Sequence, residues 1–168
     1  MSTQVLILMG SDSDFETMKN TVEVLREFGV PCEAIVASAH RSPHVVEKLA
    51  TEAEGRGVRV IIAAAGMAAH LPGVVAAFTT LPVIGVPMDA GALRGVDALY
   101  AIVQMPGGIP VMCMGIGTHG AKNAGYAAVQ ILAGSDDGLR KKMHAYRRKL
   151  ADKVAAANAK IQSQMSES

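Results

Sequence analysis

Five short runs rich in Val, Ile and Leu recur along the chain, at residues 5–9, 33–37, 58–64, 81–86 and 111–114. Segments of helical periodicity separate them, at 15–28, 44–54, an Ala-rich turn or two from Val74, 96–103 and 121–132. The apolar runs are nearly continuous rather than alternating, which is the pattern of parallel strands covered on both faces. Five β-then-α units with right-handed crossovers predict an open, doubly wound sheet of flavodoxin-like order. An eight-stranded barrel needs more chain than 168 residues supply. The fold class is therefore α/β.

From Ser135 the pattern turns polar and helical, with Leu139, Met143, Tyr146, Leu150 and Val154 on one apolar stripe that predicts a docking helix. Residues 1–168 read as a single α/β domain, with a core at about 4–133 and a C-terminal helical extension at about 135–164. A chain of this size buries roughly two-thirds of its unfolded surface. With 50% hydrophobic and 18% charged residues, a protomer has more apolar surface than it can hide, so a homo-oligomer is expected.

Sixteen basic and fifteen acidic residues leave a net charge of +1. No broad field for nucleic acid or an anionic membrane surface results, and any anion has to be held locally. The basic run KKMHAYRRK is flanked by acidic residues and reads as a solvated helix face. The opening residues MSTQVLILMGSDSD carry no basic n-region and too short an apolar run for a signal peptide, and no stretch approaches about 18 apolar residues. A soluble, cytoplasmic protein is expected. Cys32 and Cys113 lie in apolar runs without CxxC spacing and are expected to be buried core thiols.

In an open parallel sheet, ligands bind where the strands end and the helices begin. The first strand is followed by Gly10-Ser11-Asp12-Ser13-Asp14, the second by Ser38-Ala39-His40-Arg41-Ser42-Pro43, the third by Gly66-Met67-Ala68-Ala69-His70-Leu71-Pro72-Gly73. Ser11 and Ser13 stand at a helix start, where they either cap it or, with the backbone N–H groups, cradle a phosphate. Arg41 reaches the same crevice and pairs bidentately with phosphate. A carboxylate such as Asp14 accepts hydrogen bonds from ribose hydroxyls. Together these point to a phosphorylated, nucleotide-like small molecule.

His40 and His70 are each placed to move a proton near neutral pH, with a structural hydrogen bond as the other reading for His70. His40 and His44 form an apparent H-x-x-x-H, yet Pro43 starts a helix between them, so no metal site is expected. Residues 115–120 match G-x-G-x-x-G, but they belong to the last β-α unit, where no later strand supplies the ribose-binding acid of a dinucleotide site. They read as a close-approach loop. With no Trp, three Tyr and three Phe, the chain offers little aromatic surface for a flavin, and no cofactor is expected.

The segments GSDSD (10–14), SAHR (38–41), AAHLPG (68–73), LPVIGVP (81–87), GVDALYAIVQMPGGIPV (95–111) and GAKNAGYAAVQIL (120–132) resemble the N5-carboxyaminoimidazole ribonucleotide mutase family. The resemblance runs from about Val5 to Leu132. It implies a flavodoxin-like three-layer sandwich, an octamer, and transfer of a carboxylate from the exocyclic nitrogen of an aminoimidazole ribonucleotide to C4. By matching position it implies that Ser11, Ser38 and Arg41 hold the phosphate and Asp14 the ribose. It makes His40 the acid/base, with Gly66, Ala68, His70 and Leu71 lining the pocket for the carboxylate and for carbon dioxide released in passing. The chain departs from the family at Ala64 and Met67, where members more often carry Gly, and at the bulkier run 112–115. Two other activities fit the same residues: a carboxylase using free carbon dioxide, and a non-catalytic nucleotide-binding module.

Overall fold

The computed structural model describes residues 2–166. In chain order its strands are β1 (Val5–Met9), β2 (Cys32–Val36), β3 (Val60–Ala65), β4 (Val83–Pro87) and β5 (Met112–Cys113). Its helices are α1 (Phe15–Phe28), α2 (Pro43–Glu52), α3 (Leu71–Ala77), α4 (Val96–Val103), α5 (Gly117–Ala133) and α6 (Asp137–Ser166), with 3-10 turns at Asp12–Asp14 and Glu54–Arg56. All strand pairs are parallel, in the order β2-β1-β3-β4-β5. This is the doubly wound order expected from the β-α alternation.

The continuous apolar runs are explained by burial on both faces. Along β1, Val5, Ile7 and Met9 join one core with α1, α5 and the start of α6, while Leu6 and Leu8 join another with α2, α3 and α4. In β3, Val60, Ile62 and Ala64 face the first core and Ile61, Ala63 and Ala65 the second. Each large side chain fully removed from water there contributes about 1.5–3 kcal/mol. The layers are helix, sheet, helix.

Small residues set how closely the layers approach. A Cβ on Gly125 of α5 would stand 2.9 Å from Val24 of α1, and beside that contact the buried Thr21 hydroxyl donates to the Ala121 carbonyl at 2.7 Å. Gly120 approaches closer still: a Cβ there would overlap the Gly115 carbonyl oxygen. The glycine-spaced loop is thus a close approach of backbone to backbone, as read from its position in the last β-α unit.

Several boundaries move, for local reasons. Helix α3 begins at Leu71, ahead of Val74, because Pro72 falls in the first turn, where no N–H is needed. Strand β5 keeps two of four expected residues, since it is an edge strand that follows Pro110; Met114 N–H still donates to Gly85 O at 2.9 Å.

The docking helix α6 docks over half its length. Leu139 and Met143 are buried and Tyr146 packs beside them, its hydroxyl 2.6 Å from that of Tyr126. Leu150 and Val154, expected on the same docked stripe, are exposed, because a 30-residue helix of roughly 45 Å outruns the domain beneath it. The two cysteines are half-buried rather than core residues, for they lie on the opposite edge strands β2 and β5, each covered on one side only. That placement also separates them too far to pair. Burial raises both thiols above their usual value, leaving them weakly nucleophilic.

Candidate active site

The register brings three loops level. Val5 pairs with both Cys32 and Val60, and Met9 with Val36 and Ala64, so β1, β2 and β3 end on one rim. The chain leaves β1 toward β2 on one side and returns to β3 on the other, which makes the gap above β1 and β3 the topological switch point. A pocket of about 540 Å³ opens there. Its wall includes Ser11, Asp14, Ser38, His40, Arg41, Gly66, Ala68 and Leu71, eight residues expected at the site, together with Gly10, Ser13, Ala39, Ala65, Met67 and Ala90.

After β1, Ser11 caps the 3-10 turn. Its hydroxyl accepts from Ser13 N–H at 3.3 Å, and its own N–H donates to Asp14 Oδ2 at 3.1 Å, a reciprocal capping box. Capping, one of the two readings of these serines, is therefore realised. The Ser11 hydroxyl also donates to Asp12 at 3.1 Å, an exposed bond that an anion can displace. Burial is the largest influence on the Asp14 carboxyl and raises it above its ordinary value, partly offset by the N–H bonds from Ser11 and Gly10.

After β2, Ser38 and Ser42 close a turn. Ser42 N–H donates to Ser38 O at 2.9 Å, Ser42 Oγ accepts from Ser38 N–H at 3.0 Å, and Ser38 Oγ accepts from Arg41 N–H at 3.2 Å. Pro43 then opens α2 at a position that needs no donor. This knot presents His40 and Arg41 on the rim. The Arg41 guanidinium crosses to the β1 loop and donates to Gly10 O at 3.1 Å. It stands between the main pocket and a second hollow shared with Ser11 and Ser38, so an anion on either side meets the same three residues.

His70, at the head of α3, is not on the pocket wall; it meets the site through His40. His40 Nε2 and His70 Nδ1 lie 2.8 Å apart, with ring planes at 83°. At that separation one nitrogen carries the hydrogen and the other accepts it. The hydrogen-bonded reading of His70 is thus realised, with His40 as its partner. His44 lies on α2 with its side chain exposed, 3.7 Å from Glu47, and shares no face with His40. Among the described residues no cluster of three or more His, Cys, Asp or Glu side chains forms.

The apolar wall comes from the β3–α3 loop and from Ala90 after β4. Ala90 carries no chemical signal in the sequence; only the adjacency of β4 to β3 brings it in. Gly66 is pressed between the loops, where a Cβ would lie 3.0 Å from that of Ala90.

Known proteins resemble this chain over most of its length. A family model described as AIR carboxylase matches residues 4–153. The N5-carboxyaminoimidazole ribonucleotide mutase of Vibrio vulnificus (strain CMCP6) is 52% identical over 153 residues, covering 91% of this chain and 95% of that protein. The protein of the same name from Bacillus subtilis (strain 168) is 54% identical over 143 residues, 85% of this chain and 88% of its own. A crystal structure of Treponema denticola PurE superposes with a TM-score of 0.84 at 28% identity, covering 94% of this chain and 97% of that one.

Proposed function

The chain belongs to the AIR carboxylase family, and from that premise we propose that it interconverts N5-carboxyaminoimidazole ribonucleotide and 4-carboxy-5-aminoimidazole ribonucleotide in de novo purine biosynthesis. The observation that carries the reading at the level of residues is the His40–His70 contact on the wall of a pocket rimmed by Ser11, Ser38 and Arg41. In this reading the phosphate binds those three residues, where hydroxyls and a guanidinium meet. Asp14 accepts from the ribose hydroxyls. The heterocycle then lies toward His40, the small residues Gly66 and Ala68, and the apolar Leu71.

The reaction breaks the bond from the exocyclic nitrogen to the carboxyl carbon, leaving the electron pair on nitrogen, which takes a proton from His40. Carbon dioxide waits against the small apolar wall. C4 of the electron-rich aminoimidazole attacks it, and the displaced C4 proton returns to His40, so the enzyme ends as it began. His70 holds the His40 ring in place through both transfers. One positioned acid/base contributes about 10²–10⁴ in rate, and keeping the two fragments together supplies much of the rest. No step calls for a cofactor.

The protein acts, in the same reading, as a cytoplasmic homo-oligomer, an octamer, of one α/β domain per protomer, with no nucleic-acid or membrane partner. Among the described residues no helix is long and apolar enough to cross a membrane.

The test supplies purified protein either with the N5-carboxylated ribonucleotide alone or with the uncarboxylated ribonucleotide plus bicarbonate. Conversion of the first without added bicarbonate is expected; conversion of the second alone would make the protein a carboxylase. His40→Asn, assayed alongside, is expected to lose turnover by at least about 10² while ligand affinity stays within about tenfold. Retained turnover would remove His40 from the chemistry.

A further inference from the structure

Met67 and Arg94 are the only non-glycine residues at positive φ among the described residues, at 54° and 51°. In that conformation an L side chain crowds its own carbonyl, so a methionine there is held by something around it. Its surroundings identify the holder. The Met67 Cγ, Sδ and Cε lie 3.2, 3.7 and 3.9 Å from where a Cβ on Gly91 would stand, so the thioether chain runs across Gly91 on the β4–α4 loop. Beneath it Gly66 already abuts Ala90 and Met88 of that same loop. Met67 continues this loop-to-loop seam outward along the pocket wall while remaining 59% exposed.

We propose that Met67, which stands where family members more often carry Gly, adds a cover in this chain that helps keep carbon dioxide inside the pocket during turnover, an inference that rests on the mutase reading. The intermediate is small, uncharged and apolar, and it is lost if the apolar side of the pocket opens to water before C4 attacks. In that reading the ribonucleotide occupies the Ser, Asp, His and Arg side of the wall, so the escape route lies on the Gly66–Ala90 side, where the wall beside Met67 is made of Gly66, Ala68 and Ala90. An unbranched side chain with three rotatable bonds folds down over a bound ligand without backbone movement, and sulfur keeps the cover apolar. With left-handed backbone at residue 67, the side chain lies across Gly91 while part of it stays in solvent.

The test is the partition of the released fragment. After the N–C bond breaks, carbon dioxide either bonds to C4, giving the carboxylated product, or escapes and is hydrated, leaving the uncarboxylated ribonucleotide. Excess enzyme is mixed with N5-carboxylated substrate for a single turnover, and the ratio of uncarboxylated to C4-carboxylated ribonucleotide is measured after subtracting decay without enzyme. In wild type the ratio is expected to be low. In Met67→Gly, which removes the cover and suits the positive φ, it is expected to rise about fivefold or more; in Met67→Leu it stays within about twofold. A glycine variant that partitions as wild type does, or a wild type that already releases most of its carbon dioxide, overturns the proposal. A wild type that forms no C4-carboxylated product in this assay sinks the mutase reading itself, which keeps the two failures distinct.

Discussion

Burial, with the neighbouring Asp12 carboxylate, pushes the Asp14 carboxyl up, the N–H groups of Ser11 and Gly10 pull it down, and the rise wins. An acid whose folded value exceeds its unfolded one contributes stability that is full below the unfolded value and is lost as pH rises through the folded one. The fold therefore favours the neutral form of this carboxyl. Asp14→Asn keeps an oxygen for Ser11 N–H and removes the charge. Thermal unfolding without ligand is expected to show little difference below the ordinary carboxyl value of 3.8 and a Tm advantage for the variant that grows as pH rises above it, while its affinity for the ribonucleotide falls. A variant less stable than wild type at neutral pH would mean that the carboxylate is structural. Ligand binding, in our reading, gives that charge the donors it lacks. The sequence offers Asp14 as a candidate ribose acceptor from its residue type, but the cost of that carboxyl depends on burial, which is a tertiary property.

Elements were legible where the local pattern is strong. Helix α1 spans Phe15–Phe28, the residues its periodicity predicts, because the Ser11 capping box leads into it and Gly29, left-handed at φ 75°, ends it. Contacts between elements were less legible, and glycines decide them. Gly85 of β4 lies under α4, where a Cβ would stand 2.5 Å from Ile102 Cγ2 and 3.0 Å from Val111 Cγ1. Those are side chains that can shift, so Gly85→Ala is expected to cost about 1–3 kcal/mol. Gly120→Ala has only the Gly115 backbone to push, and no rotamer relieves it. Calorimetry should rank Gly120→Ala well below Gly85→Ala in Tm, at about 2–4 °C per kcal/mol for a chain of this length. The reverse order would mean that the loop at 115–117 yields more readily than the α4 core.

One protomer leaves two apolar stripes uncovered. Val96, Tyr100 and Val103 recur at i, i+4 and i+7 on the outer side of α4, with Tyr100 63% exposed, and Leu93 and Met112 lie on the same margin of the sheet. The second stripe runs along the free half of α6 through Leu150, Val154, Ile161 and Met165. Self-association through α4 fits the excess of apolar residues, since a stable interface needs roughly 800 Å² from each partner. If the proposed homo-oligomer forms through α4, Tyr100→Asp is expected to reduce it to a smaller species by light scattering with the helix content unchanged. An unaltered mass would assign the assembly to another face, the α6 stripe first.

Periodicity, turn residues and the chemistry of three loops are local properties, and they determined the β-α alternation, the parallel sheet and the residues that rim the pocket. The tertiary structure alone decided what those residues do to one another. Sheet order placed Ala90 beside Gly66, and level register brought His70 to within a hydrogen bond of His40 across thirty positions. The length of the domain under α6 decided where its apolar stripe stops being core. Contacts between distant segments depend on the pairing of whole strands, and no window of sequence contains both partners.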